Sequence, residues 1–101
     1  MRVEFADLVL DRLETDTAFV ASLPTHIVTA YRRRMQQLRA AVDERALYAL
    51  KSLHFEKLKG KRDHERSIKL NDQWRLILEL RTDVTQGQKF IWIVGVENHY
   101  R

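Results

Sequence analysis

The chain has 101 residues, enough for one domain (1–101) with a single modest core. Hydrophobic residues make up 45% and charged residues 32%, with a net charge of +4, a globular rather than a disordered composition. There is no cysteine, which excludes a disulfide framework, a thiolate nucleophile and Cys-ligated zinc. No apolar run is long enough to span a bilayer and no signal-peptide pattern opens the chain, so a cytoplasmic protein without a membrane partner is expected.

In chain order, "RVEF" has a strand-like flavour but is short. "ADLVLDRLE" offers Leu8, Leu10 and Leu13 as one face of a marginal helix. Pro24 punctuates the chain, and Thr25 is placed to cap a helix starting just after it. Ile27, Tyr31, Met35, Leu38 and Val42 recur every three or four residues, which predicts an amphipathic helix. Asp43 then reads as an N-cap, with Leu47, Leu50 and Leu53 lining a further helical face.

Beyond Gly60 the period changes to two. Ile68 and Leu70 alternate with Ser67 and Lys69, and after "NDQ" Trp74, Leu76, Leu78 and Leu80 alternate with Arg75, Ile77, Glu79 and Arg81. "TDVTQGQ" is a turn, and "KFIWIVGV" is a strand apolar on both faces, hence central or half-covered. The order predicts an α+β fold, N-terminal helices packed on one face of a small antiparallel sheet.

Charge is not spread evenly. Residues 1–50 hold seven Lys/Arg and seven Asp/Glu, residues 76–101 three of each, and residues 51–75 eight against four. The whole excess therefore sits in one segment, which points to an acidic partner, nucleic acid being the commonest, or simply to a solvated basic loop. A hairpin turning at Asn71–Gln73 sets Leu70 opposite Trp74, Ile68 opposite Leu76 and Lys69 opposite Arg75. The first two pairs face the helices. The two cations then share the other face, unfavourably unless an anion lies between them. The second turn brings Gly95 beside Arg75, so the tail "ENHYR" emerges at the same end.

Lys57, Lys59, Lys69, Arg75, Asn98, His99 and Tyr100 thus converge. His and Tyr transfer protons, Arg suits bidentate phosphate contact, and Lys adds point charge. Such a set supports RNA cleavage by attack of a 2′-hydroxyl on the adjacent phosphate, with no cofactor. No metal is called for, because the carboxylates and histidines lack ligand spacing. Each residue also has a plainer reading. Arg75 can be a solvent-facing strand residue, and His99 and Tyr100 a frayed end. His54 and His64 read as surface residues, Arg32, Arg33 and Arg34 as a solvated face or partner contact, and Trp74 and Trp92 as core.

At "FEKLKG", "RSIKLNDQWRLILEL" and "VGVENHY" the chain resembles the RelE/ParE toxin superfamily, most closely its HigB branch, the plasmid maintenance system killers. The likeness covers the C-terminal half well and the N-terminal half in order and length. It implies a toxin paired with a helix-turn-helix antitoxin, and metal-independent cleavage of mRNA on the ribosome. On that basis Lys59, Arg75, His99 and Tyr100 are the expected catalytic residues. Lys57, Lys61, Arg62, Arg66, Lys69 and Asn98 are the expected RNA contacts, and Glu56 has an open role. Relatives often end the last strand in Asp-Tyr-His, where this chain has Asn98-His99-Tyr100, so the acid and base are not assigned. The alternatives are a non-enzymatic ParE-like inhibitor of DNA gyrase, or a degenerate relative that binds only RNA or its antitoxin.

Overall fold

A computed structural model of the chain describes residues 1–98. The elements are β1 (Val3–Phe5), α1 (Leu8–Thr15), α2 (Thr25–Ala40), α3 (Glu44–Ala49), β2 (Glu56–Lys57), β3 (Glu65–Lys69), β4 (Trp74–Thr82) and β5 (Lys89–Asn98). Single 3-10 turns at Lys51–Leu53 and Gly60–Arg62 complete the chain path.

The helices begin where capping chemistry permits. Asp7 accepts from the Leu10 N–H at 2.9 Å and starts α1. Asp43 accepts from the backbone of Arg45 and Ala46 and starts α3, as its position predicts. Thr25 does not cap α2. The residue before the helix is Pro24, whose carbonyl accepts from Ile27 and Val28 and whose fixed φ suits the entry to a first turn. Along α2, Ile27, Tyr31, Met35 and Leu38 are fully buried, but Val42 is 88% exposed because the helix ends at Ala40. Leu50 is likewise exposed, while Leu47 and Leu53 reach the core, since the chain tightens into a 3-10 turn after α3. Leu8 also stays outside, leaving Leu10 and Leu13 as the buried face of α1.

The five strands form one sheet in the order β1-β5-β4-β3-β2. Strands β3 to β5 pair antiparallel as expected, β2 adds a short antiparallel edge strand before Gly60 that the alternation did not predict, and β1 joins β5 in parallel, so the sheet is mixed rather than wholly antiparallel. The helices cover one face. Leu10, Leu13, Ile27, Tyr31, Met35, Leu38, Leu47 and Leu53 pack there on Val3, Ile68, Leu70, Leu76, Leu78, Ile91 and Ile93. Each fully buried large apolar side chain of this kind contributes about 1.5–3 kcal/mol, so this layer dominates stability. Among the described residues, no helix is long and apolar enough to cross a membrane.

Register decides what the other face presents. Lys69 lies opposite Arg75 and Ile68 opposite Leu76, as the hairpin reading requires. Asn71 Oδ1 accepts from the N–H groups of Gln73 and Trp74 at 2.8 and 2.7 Å, which closes the tight loop. The partner of Arg75 on β5 is Glu97, not Gly95, which lies beside Ile77. Two features add one residue each to the offset. The β4–β5 turn sets Thr82 opposite Lys89, and a bulge between Ile77 and Leu78 of β4 leaves Val94 unpaired on β5.

Candidate functional site

The face without helices carries the chemistry. Cross-strand partners share a face, so Lys69, Arg75 and Glu97 form one row, Ser67, Ile77 and Gly95 the next, and Glu65, Glu79 and Trp92 a third. Glu56 pairs with Ser67 and extends the middle row to the sheet edge. Trp92 therefore lies outside the core: it faces this open side, where the Arg81 guanidinium stacks on its ring at 4.2 Å. Trp74 does pack against the core from a half-buried position.

Arg75 is the group that a partner would satisfy. Its side chain is half-buried, and Nη1 is buried with no hydrogen-bond partner among the described residues. An unsatisfied buried donor costs about 1–3 kcal/mol, more on a charged group, so an anion arriving there is rewarded. Beside it, Lys69 Nζ pairs with Asp72 at 3.0 Å, a carboxylate that is almost wholly exposed and easily exchanged. The cation pair that the register implied is thus relieved by Asp72 on one side and by the neighbouring Glu97 on the other.

Arg62 reaches onto this face from the loop joining β2 and β3. Its Nε donates to Glu65 at 2.7 Å, and Nη1 and Nη2 donate to the two oxygens of Glu97 at 3.1 and 2.6 Å. Glu97, and after it Glu65, hold the guanidinium pKa well above its ordinary value. Glu65 lies on β3 and Glu97 on β5, so the guanidinium that binds both crosses β4. It crosses at the level of Ile77, which is fully buried although it faces away from the core cluster. Pairs at this half-exposed surface are worth about 0.2–1 kcal/mol each, too little to decide the fold but enough to hold a loop. Gly60, at φ +68°, allows the reversal that turns this loop back.

The other expected contacts divide. Lys59 and Lys61 are exposed on the same loop. Lys57 and Arg66 are register partners, and Arg66 also partners Leu78, which places both on the helix side of the sheet edge. There Arg66 Nη1 donates to the carbonyls of Asp63 and Glu65. Asn98 ends β5 opposite Trp74, on the side away from the Arg75 row. His99 and Tyr100 lie outside the described residues.

Two of the three consecutive arginines are half-buried and committed to backbone carbonyls. Arg32 donates to the carbonyls of Leu13, Asp16 and Phe19, tying α2 to the chain after α1. Arg34 donates to Lys69 O and Ser52 O at 3.0 Å each and to Gln37, clamping the end of β3 where the cationic row begins. Burial lowers its pKa. Arg33 between them is exposed. Nothing in the spacing of the three marks Arg34, since its partners are backbone carbonyls far along the chain.

Among the described residues the fold does gather one set of metal-ligating types that the linear spacing hides. Ligand atoms of His64, Glu65 and Glu79 lie within 4.8 Å of one another. Both carboxylates already carry a guanidinium, Arg62 on Glu65 and Arg81 on Glu79 at 2.9 Å, so their charge is balanced without a cation. Surface hollows of about 570 and 470 Å³ lie elsewhere, beside Val42 and Lys89 and beside β1 and Leu8, and neither includes Arg75. A phosphate gripped on a strand face needs donors and charge rather than a cavity.

The solved structure described as a "YoeB/ParE toxin from Agrobacterium tumefaciens" is similar in fold, with a TM-score of 0.57 over 99% of this chain and 100% of that chain, at 14% sequence identity. Curated proteins yield no match in sequence. The sequence itself matches the family described as "RelE-like toxin of type II toxin-antitoxin system HigB" over residues 3–91, a span that runs from β1 into β5 and includes Lys59, Lys69 and Arg75. With the helices, strands β1 to β4, the basic loop and the strand arginine all inside that match, the chain belongs to the HigB-like family of RelE-like toxins of type II toxin–antitoxin systems.

Proposed function

We propose that this toxin is a metal-independent endoribonuclease that cuts mRNA on the ribosome and so arrests translation. A toxin of a type II system implies an antitoxin partner, here taken to be a helix-turn-helix protein. The observation that carries the reading is Arg75: a guanidinium half-sunk in the open sheet face, with a buried Nη1 that has no partner among the described residues. Arg75 would grip the phosphate and stabilise the charge that grows on its oxygens, a role worth roughly 10²–10³ in rate. Lys69 and Lys59 add positive charge around it.

In the reaction the 2′-oxygen attacks phosphorus and the bond to the 5′-oxygen breaks. A base takes the 2′-hydroxyl proton, and an acid returns one to the leaving 5′-oxygen. His99 and Tyr100 supply residue types suited to both steps, and in the sequence they follow directly on Asn98, the last residue of β5. Mapping 5′ ends of cellular RNA after brief expression should show cuts within coding regions for the parent and none for Arg75→Ala. Growth arrest with intact messages and a DNA-damage response would instead favour a gyrase-directed toxin.

A further inference from the structure

We propose that Arg62 is a positioning residue rather than a phosphate contact: by clasping Glu65 and Glu97 across β4 it holds the Lys59–Asp63 segment over the open face and neutralises the carboxylate beside Arg75. The inference rests on the ribonuclease reading for its purpose, but not for its geometry.

Three observations lead to it. Glu97 is the register partner of Arg75, so without a counter-charge its carboxylate would repel any phosphate that Arg75 attracts. Arg62 meets both oxygens of Glu97, at 2.6 and 3.1 Å, and still donates to Glu65 from Nε, a use of the guanidinium fork that leaves little of it to offer RNA. Finally, Lys59 and Lys61 both closely precede Arg62 in the same short loop, whose own fastening is slight. Leu58 N–H donates to Glu65 O at its start, Asp63 N–H to Gly60 O within it, and Arg66 Nη1 to Asp63 O at its end. Fixing Arg62 therefore limits where both lysines can stand.

Two readouts on the full-length chain test this. Amide hydrogen exchange is followed over residues 58–64. Affinity is measured for a short RNA oligonucleotide carrying a 2′-O-methyl group at every position, which cannot be cut by 2′-hydroxyl attack. Arg62→Ala should raise loop exchange about fivefold while leaving β3 to β5 protected. It should also weaken oligonucleotide binding roughly three- to tenfold. Glu97→Gln should loosen the loop as well but cost less affinity, because the repelling charge goes with the clasp. The double variant should recover part of the affinity lost by Arg62→Ala. Arg62→Lys, which keeps the charge but not the fork, should loosen the loop to an intermediate degree.

Unchanged loop exchange in Arg62→Ala overturns the proposal. So does tighter binding in Glu97→Gln, which would mean that Arg62 had been freed to hold phosphate itself. If the parent chain binds no oligonucleotide, the ribonuclease reading loses support while the exchange measurement still decides the clasp.

Discussion

Tyr31 has no exposed surface and donates its hydroxyl to the Leu10 carbonyl at 2.7 Å, joining α2 to α1 inside the core. Burial, reinforced by the charge of Glu14, raises its pKa well above the ordinary phenol value. An unfolded phenol ionises near pH 10, before the folded one does. The contribution of Tyr31 is therefore complete below about pH 10 and is lost as pH rises through the higher folded value. Tyr31→Phe should cost about 1 kcal/mol at neutral pH, by leaving the carbonyl without its donor. It should also flatten the loss of stability above about pH 10. Denaturant titrations at pH 7 and in that alkaline range check both outcomes. Arg75 is the opposite kind of buried polar group, one whose Nη1 spends a donor on nothing among the described residues. Arg66 Nε is likewise buried and unmatched, but on the helix side of the sheet edge, whereas the Arg75 donor stands on the open face in the row with Lys69 and Glu97, where a ligand can meet it.

At the scale of elements, the β3–β4 hairpin sets the site, because it fixes Lys69 opposite Arg75. Its turn depends on one side chain, Asn71, which accepts two backbone N–H groups. Asn71→Ala should lower stability by about 1–2 kcal/mol and Asn71→Asp by much less, since the aspartate keeps the acceptor. Equal denaturation midpoints for all three proteins would show that the turn stands without this side chain. The hairpin was legible in the sequence because its cause is local: alternation on both sides of "NDQ" allows one register that buries Ile68 and Leu76. The next pairing was not legible to the residue. A turn that closes one position later and a bulge at Val94 move Glu97 into the place expected for Gly95. Both are backbone choices that the apolar run "KFIWIVGV" does not register, since either face of it can be buried.

Across the whole molecule, the short strand β1 completes the sheet. It pairs in parallel with β5 through Val3–Ile91, Glu4–Trp92 and Phe5–Ile93, covering the strand that would otherwise be an open edge. Val3 is buried and Phe5 packs against the core, so removing residues 1–6 should cost about 2–5 kcal/mol on burial alone. Against a total stability of about 5–15 kcal/mol, that loss is serious. It would also leave β5 with unpaired backbone groups. The truncated chain should therefore form larger species in size-exclusion chromatography with light scattering, and a monomeric, fully folded truncation would refute this role for β1.

The sequence by itself determined whatever depends on neighbours within a turn or a strand. The α2 stripe from Ile27 to Leu38, the Asp43 cap, the alternation of β3 and β4, and the concentration of positive charge in residues 51–75 are all of this kind. Local periodicity and capping chemistry are short-range, so they can be read without knowing what packs where. Only the tertiary structure decided that β1 lies parallel at the edge, that Arg34 clamps Lys69, and that Arg62 spans Glu65 and Glu97. Each of these joins groups distant in the chain through side chains and carbonyls whose meeting depends on the register of several strands at once. The basic stretch that reads as one uniform charge run is therefore two things in space. Some of its cations are already committed to carboxylates and carbonyls, and Arg75 lies among the rest with a buried donor unmatched among the described residues.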